Sequence, residues 1–159
     1  MSQSAGDSLR FEIERALPRL REIGETESAA PPTPGEWSAR EVLGHLIDSA
    51  SINHQRFVRA QFGDDLVFDG YDQVAWVRAQ HYAEAPWVEL IGLWRAFNLH
   101  LARVIDTVPA AVRTRARERH NLDQIAWKSV PKDEPTTLEY FMRDYVGHLR
   151  HHLDQILPG

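Results

Sequence analysis

Four stretches of the chain carry apolar residues at spacings of three and four, the pattern of a helix with one buried face. They cover residues 7–23, 38–62, 86–107 and 136–157. No segment alternates apolar and polar residues with the period of two that marks a half-buried strand. Four such helices in a chain of 159 residues predict an all-α fold, a four-helix bundle.

Two helix starts carry a capping-box pattern. Ser38 is followed three residues later by Glu41, and the same spacing separates Thr136 from Glu139. In this pattern the hydroxyl and the carboxylate bind backbone N–H groups that the first helical turn leaves free. We therefore expect helices to begin at these residues. Pro18 lies inside the first helix, and because proline lacks an N–H group it predicts a kink or a break there.

The connections between the four helices differ in length. Residues 28–35 include three prolines and one glycine and are typical of a loop. The connections 63–85 and 108–135 are long, and long connections allow crossovers and often carry functional residues. We expect a bundle with a long crossover connection, formed by one domain over residues 9–157 behind a flexible N-terminus at residues 1–8.

Five aromatic residues stand out in the long connections. They are Phe68, Tyr71, Trp76, Tyr82 and Trp127. Either they cover the open ends of the bundle, or they line the mouth of a pocket. The sequence leaves both interpretations open.

Composition excludes several kinds of chemistry. The chain has no cysteine and eight histidines, so disulfides, zinc ribbons, iron–sulfur clusters and a cysteine nucleophile are excluded. The net charge of −5 argues against nucleic-acid binding. No apolar run approaches the roughly 20 residues of a membrane span, and the first residues lack a signal-peptide pattern. We expect a cytoplasmic protein that binds neither nucleic acid nor membrane, whose metal ligands would be imidazoles and oxygens.

Helical angles single out three of the eight histidines. His148 and His152 lie one turn apart on the same flank of the last helix, so they can chelate one ion, while His151 points toward solvent. An H-x-x-x-H pattern is also typical of partly buried, hydrogen-bonded imidazoles. His45 lies off the main apolar face of the second helix and would complete a three-histidine metal site with an open position. Four other histidines, His54, His81, His100 and His120, are interpreted as surface or packing residues.

Three polar residues are weaker candidates near such a site. Asp48, one turn after His45, and the adjacent Ser49 would support the metal ligands, although a solvated surface carboxylate is the more common role for an aspartate. Asn98 falls within the apolar face of the third helix and needs a hydrogen-bond partner there. It would either face the substrate cavity or act as a structural amide.

Three motifs in this order resemble one known family. Residues 35–49 contain a Trp-Ser pair that opens the second helix and a His-Leu-x-Asp-Ser pattern, followed by Arg56-Phe57. Residues 71–76 read Tyr-Asp-x-x-x-Trp, and residues 147–156 carry the closing H-x-x-x-H helix. Together they resemble the DinB-like (YfiT-like) metal-dependent hydrolases, and the resemblance extends over residues 35–156.

The resemblance implies a four-helix bundle with a long crossover, commonly a homodimer, that binds one divalent metal ion. The family's ligands correspond to His45, His148 and His152. Some relatives join a low-molecular-weight thiol to an electrophile, and others are isomerases that depend on such a thiol. Some family members carry a further histidine where this chain has Gln155.

These observations predict a metal-dependent hydrolase or a low-molecular-weight-thiol S-transferase with a metal-bound nucleophile. Zinc or nickel is the expected ion, although iron and manganese also accept imidazole. A thiol would have to arrive with a cosubstrate, because the chain has no cysteine. The alternative is a non-catalytic dimeric bundle that is stabilised by metal or senses it. A DNA-damage role, suggested by the family name alone, disagrees with the acidic charge.

Substrate contacts follow from position along the chain. Arg56 lies on the same side of the second helix as His45 and is the expected partner of a substrate carboxylate, with an external ion pair as the alternative. Tyr71 and Trp76 would close over the site or only pack against the bundle. No general base is identified.

Overall fold

A computed structural model of the protein describes residues 3–159. Its α-helices are α1 (Ala5–Glu22), α2 (Glu25–Ala29), α3 (Ala39–Arg59), α4 (Gln73–Ala79), α5 (Trp87–Thr107), α6 (Ala110–Arg113), α7 (Leu122–Ile125) and α8 (Leu138–Ile156). Two 3₁₀ turns cover Ala60–Phe62 and Tyr82–Glu84. Within the described range there is no β-strand, only two isolated bridges. The prediction of an all-α fold is confirmed.

The four long helices α1, α3, α5 and α8 form the bundle. α1 packs against α5 and α8, and α3 packs against the same two helices. Consequently α1 and α3 occupy opposite corners, as do α5 and α8. The expected long crossover is the connection between α5 and α8, and the shorter connection between α1 and α3 also crosses the bundle diagonal. One continuous core of the apolar faces holds the four helices together.

The capping box predicted for the second long helix is present. Ser38 Oγ accepts a hydrogen bond from the Glu41 backbone N–H (3.3 Å), and the Glu41 carboxylate accepts one from the Ser38 N–H (3.1 Å). The helix therefore begins at Ala39, as the pattern predicted.

The capping box predicted at Thr136 is wrong. Thr137 is the N-cap of α8, and its hydroxyl accepts a hydrogen bond from the Tyr140 N–H at 3.0 Å. Thr136 instead exchanges two backbone hydrogen bonds with Arg117, at 2.7 and 3.1 Å, which hold it in an extended bridge. Glu139 pairs with an arginine of α6, Arg113, at 2.7 Å rather than with the helix start. Tertiary pairing thus moved the cap by one residue.

The first helix starts earlier than predicted, and of the kink or break predicted at Pro18 the break is absent. It begins at Ala5 with Ser4 as its N-cap, so residues 5–8, expected to be flexible, are helical, and Ala5 and Gly6 are buried. The same expectation for residues 1–2 lies outside the described residues. Pro18 does not break α1, which is continuous from Ala5 to Glu22.

The two long connections fold against each other at one side of the bundle. The side chain of Asn121 binds both the N–H and the carbonyl of Phe68, at 3.1 and 2.7 Å, and Leu66 forms a bridge with His120. This contact closes the region beside α8. In the described part of the chain, no helix is both long and apolar enough to cross a membrane.

Some of the five aromatic residues of the connections pack on the bundle, and others line a pocket. Tyr82 is buried and Phe68 is packed against the core. Tyr71 and Trp127 line a cavity. Trp76 is exposed and contacts the ring of Tyr71, with ring centres 5.0 Å apart.

Candidate metal centre

Three histidine side chains from two helices meet inside the bundle. His45 lies in the first half of α3, and His148 and His152 lie one turn apart on α8. The Nε2 atom of His148 is 3.4 Å from that of His45 and 3.1 Å from that of His152. The structure therefore brings together the three imidazoles that the sequence singled out.

The spacing of these nitrogens fits a single ion. One ligand atom from each histidine lies within 4.8 Å of the other two. Two nitrogens bound about 2.0–2.1 Å from one zinc ion lie about 3 Å apart at a right angle and about 3.4 Å apart at the tetrahedral angle. Both measured separations fall in this interval. The donor set of three imidazoles is one that zinc, nickel, copper and iron accept.

Burial keeps the three imidazoles uncharged. His45 is fully buried because α3 packs between α5 and α8, whereas His148 and His152 are partly exposed. Desolvation, with the neighbouring imidazoles, lowers the pKa of His45 to about 4 and that of His148 to about 3. Desolvation also lowers the pKa of His152. Neutral imidazoles are the form that binds a metal ion.

The side chain of Gln155 orients one of the three ligands. His152 Nδ1 donates a hydrogen bond to Gln155 Oε1 at 2.9 Å, because an amide oxygen only accepts. With its proton on Nδ1, His152 directs the lone pair of Nε2 at the other two imidazoles. His45 Nδ1 is buried without a partner among the described atoms.

We expect the metal-free protein to lose stability as the pH falls below about 6.5. A histidine whose folded-state pKa is depressed stays neutral while the unfolded chain binds protons, so acid favours unfolding until the folded pKa is reached. For His148 alone the loss between pH 7.5 and 4.5 is about 2–3 kcal/mol. Urea unfolding in chelator at both pH values, with wild type and His148→Asn, measures it.

The contribution of His148 is the difference between wild type and His148→Asn in the free energy of unfolding that each loses between pH 7.5 and 4.5. Groups that do not contact His148 contribute alike in both proteins. Asp48, whose carboxyl has its pKa raised by burial, is one of them. A pH dependence that is identical in wild type and His148→Asn would contradict the prediction.

A cavity of about 330 Å³ opens beside His148 and His152. Its wall comes from α3, α8 and the two long connections. The residues on it include Ser49, Asn53, Arg56, Tyr71, Gln124, Trp127, Phe141, Asp144 and Tyr145. The cavity therefore leads from solvent to two of the three imidazoles, while His45 holds the buried side.

Trp127 closes one side of this cavity, and the sequence marked it only as an unassigned aromatic. Asp144 accepts hydrogen bonds from the backbone N–H groups of Trp127 and Lys128, each at 2.8 Å, which fix the loop to α8. A Cβ on Gly147 would lie 2.9 Å from the Trp127 ring. The glycine inside a helical pattern was the available signal for this close packing.

Asp48 is not the solvated surface carboxylate that the sequence favoured. It is 3% exposed, and its Oδ1 accepts hydrogen bonds from the Tyr82 hydroxyl at 2.7 Å and from Gln80 Nε2 at 2.8 Å. These partners come from the connection between α3 and α5, and they tie it to α3. No hydrogen bond joins Asp48 to a histidine within residues 3–159.

Ser49 lies on the cavity wall and, within residues 3–159, forms no hydrogen bond with the three imidazoles. Its hydroxyl and its backbone carbonyl accept hydrogen bonds from Asn53 Nδ2, at 3.3 and 2.9 Å. Asn98 has the structural role and lines no part of the cavity: it donates to the Trp94 carbonyl at 2.9 Å and accepts from the Tyr145 hydroxyl. The substrate-binding interpretation of Asn98 is therefore wrong, because both ends of its amide are occupied inside the core.

Of the other three residues predicted to bind substrate, two line the cavity and one does not. Arg56 is buried on the cavity wall, so the external ion pair is wrong. Tyr71 is also on the wall, and burial raises its pKa to about 12, which keeps the phenol protonated. Trp76 contacts Tyr71 from outside and does not line the cavity.

The remaining histidines lie away from the three-histidine site or only flank it. His151 is exposed and lies against Trp127, with ring centres 5.5 Å apart. His120 is buried and binds the backbone at Glu134 and Leu122. The other three, His54, His81 and His100, are at or near the surface.

Comparison with known proteins gave two matches. The family model described as the DinB superfamily matches residues 8–156. Among solved structures, the chain is similar to YfiT from Bacillus subtilis, described as a probable metal-dependent hydrolase with an unusual four-helix bundle topology. The identity is 22%, the TM-score is 0.75, and the alignment covers 96% of this chain and 82% of YfiT. A search of curated proteins found no match.

Proposed function

The chain belongs to the DinB superfamily, and on that premise we propose that it binds one divalent metal ion through His45, His148 and His152 and acts as a metal-dependent hydrolase or a low-molecular-weight-thiol S-transferase. The observation that carries the proposal is the convergence of three neutral imidazole nitrogens with separations of 3.1 and 3.4 Å. YfiT, which shares the fold, is described as a probable metal-dependent hydrolase.

The side chains at the site have three different roles: they hold the ion, orient a ligand, or line the cavity. A divalent ion held by three neutral imidazoles keeps its full +2 charge and lowers the pKa of a water or thiol that it binds toward neutrality. His45 holds the buried side of the site, and Gln155 orients His152. Tyr71 and Trp127 line the cavity, and where their rings displace water they strengthen electrostatic interactions inside it. We assign zinc or nickel as the ion, and a thiol would enter as a cosubstrate.

Metal content and chelator-sensitive turnover test this function. Tag-free wild type and a His148→Ala, His152→Ala double variant would be assayed for bound metal by mass spectrometry. Each would then be incubated with esters, amides, or a thiol plus an electrophile, with and without chelator. We expect wild-type turnover that chelator stops and added metal restores, and none in the double variant. No chelator-sensitive turnover with any substrate pair would contradict the catalytic proposal.

A second candidate function rests on the position of the ligands on two different helices. An ion bound to His45 of α3 and His148 of α8 would cross-link two neighbouring helices of the bundle. The protein would then be a metal-stabilised or metal-sensing homodimer that acts through a bound ligand or protein. Metal removal would lower the melting temperature and dissociate the dimer, with no turnover to lose. Gel filtration and thermal unfolding with and without chelator distinguish this function.

We expect Gln155→Leu to lower zinc affinity by about 10- to 100-fold, the usual cost of losing a partner that orients a metal-bound imidazole. Leucine cannot accept the Nδ1–H of His152, so the ring loses the contact that fixes its orientation. A competition titration with a zinc-binding dye measures the affinity. Asp154→Asn, at the exposed neighbouring position, is the matched control, and equal affinities for the two variants would contradict the prediction.

A further inference from the structure

Arg56 places a buried positive charge on the cavity wall. It is 7% exposed, and its Nη2 donates to the Asp69 carbonyl at 2.7 Å while Nη1 lies 3.5 Å from Asn53 Oδ1. The Nε–H is buried and has no hydrogen-bond partner among the described residues. Across residues 3–159, no carboxylate forms an ion pair with this guanidinium. Buried charges are normally paired, because an unpaired one loses its hydration without compensation.

Two other buried arginines show what a structural role looks like in this fold. Arg40 pairs with the Glu25 carboxylate at 2.7 Å. Arg117 forms no ion pair in the part of the chain that the structure describes, but its Nη1 and Nη2 together reach three backbone carbonyls, and it lies away from the cavity. Arg56 differs from both, since it has one short hydrogen bond and faces space that a ligand can enter.

Arg56 and the proposed metal ligands of α8 line the same cavity at different levels along the bundle axis. The Arg56 guanidinium lies 5.9 Å from the centre of the Phe141 ring on α8. Phe141 and His148 are seven residues apart on that helix, which corresponds to about 10 Å along its axis. A ligand that reaches both ends must therefore be elongated.

We propose that Arg56 binds the carboxylate of an elongated small molecule whose reacting group lies at the three histidines. That the other end of this molecule reacts at the three histidines rests on the proposed function, whereas the binding of its carboxylate by Arg56 does not. The single positive charge of Arg56 determines which class of anion the cavity accepts. Among the cavity residues that the structure describes, Arg56 is the sole lysine or arginine. The carboxylate of Asp144 lies on the same wall. A phosphate dianion brings two negative charges against the single positive charge of Arg56, and Asp144 would repel it more strongly than it would repel a carboxylate with one charge.

Binding of matched small probes tests the inference on the intact protein. The probes are 3-phenylpropanoate, the neutral 3-phenylpropanamide and 2-phenylethylphosphonate, titrated by NMR in the presence of chelator so that no metal competes for the carboxylate. We expect wild type to bind the carboxylate at least about 10-fold more tightly than the amide, as a charge-assisted hydrogen bond predicts. Equal affinities, or no binding of any probe, would overturn it. Tighter binding of the phosphonate would replace the carboxylate class with phosphates.

Variants of α3 locate the preference. Arg56→Gln should abolish the preference for the carboxylate, and Arg56→Lys should retain part of it. Arg59→Gln, an exposed arginine one turn further along α3, is the control and should behave as wild type. A preference that survives in Arg56→Gln would place the anion elsewhere and overturn the proposal.

A zinc titration of the same proteins separates this inference from the proposed function. If the carboxylate preference depends on Arg56 but the protein binds no metal, the proposed function fails and the anion site stands. If zinc binds through His148 and the probes show no preference, only the anion site fails.

Discussion

Replacing His148 with alanine is expected to lower zinc affinity by more than about 100-fold, beyond the loss caused by removing a partner that only orients a ligand. The reason is its central position: His148 Nε2 lies 3.4 and 3.1 Å from the Nε2 atoms of His45 and His152, so its loss leaves two ligands that no longer enclose an ion. Competition titration with a zinc-binding dye, together with metal content after purification, measures the effect.

The neighbouring histidine provides the matched control for this prediction. His151 is on the same turn of α8 but is exposed and directed at Trp127. His151→Ala removes the same side chain from the same helix, and it should leave zinc affinity within a few-fold of wild type. Equal affinity losses in His148→Ala and His151→Ala would rule out the three-histidine site and favour adventitious surface binding.

Gly44→Ala is expected to destabilise the fold by about 3 kcal/mol. A Cβ on Gly44 would lie 2.2 Å from the Tyr82 ring, so the ring must move. The Tyr82 hydroxyl donates to the buried Asp48 carboxylate, and displacement would leave that carboxylate with only part of its hydrogen bonding. Overpacking costs about 1–3 kcal/mol, and an unsatisfied buried group costs a similar amount. Urea unfolding gives the free energy.

A second helical glycine separates this steric effect from helix propensity. Gly92 lies on the exposed face of α5, and a Cβ there meets no atom within 4 Å. Gly92→Ala should therefore stabilise the protein by about 0.5–1 kcal/mol, because alanine loses less backbone entropy in a helix. If Gly44→Ala proved neutral or stabilising as well, the close contact with Tyr82 would be disproved.

Most of the fold could be predicted because the four long helices are amphipathic. Their apolar stripes bury one face of each helix, and this local periodicity is visible without tertiary information. The Ser38 cap is likewise local, since both of its partners lie within one turn. The Thr136 cap failed because a distant residue, Arg117, competes for its backbone. The start of α1 at Ala5 was missed although its Ser4 cap is local, because the burial of Ala5 and Gly6 that accompanies this first turn depends on packing against the rest of the bundle.

The roles of the polar residues depended on the neighbours that the fold supplies. Asp48 is buried because Tyr82, 34 residues away in the chain, donates to it. Asn98 is structural because Tyr145, on a different helix, occupies its carbonyl. No spacing rule within one helix contains either partner. The position of Trp127 on the cavity wall likewise depends on a distant residue, because Asp144 fixes its loop to α8.

The sequence by itself determined which residues share a helix face, and with it the bundle and the pairing of His148 with His152. An interval of four residues on a helix determines both the direction and the rise between two side chains. Only the tertiary structure decided that His45 meets them, because α3 must pack on α8 for the imidazoles to converge. It also decided that Arg56 is buried with no ion pair to any residue that the structure describes, since burial and pairing depend on contacts between distant parts of the chain.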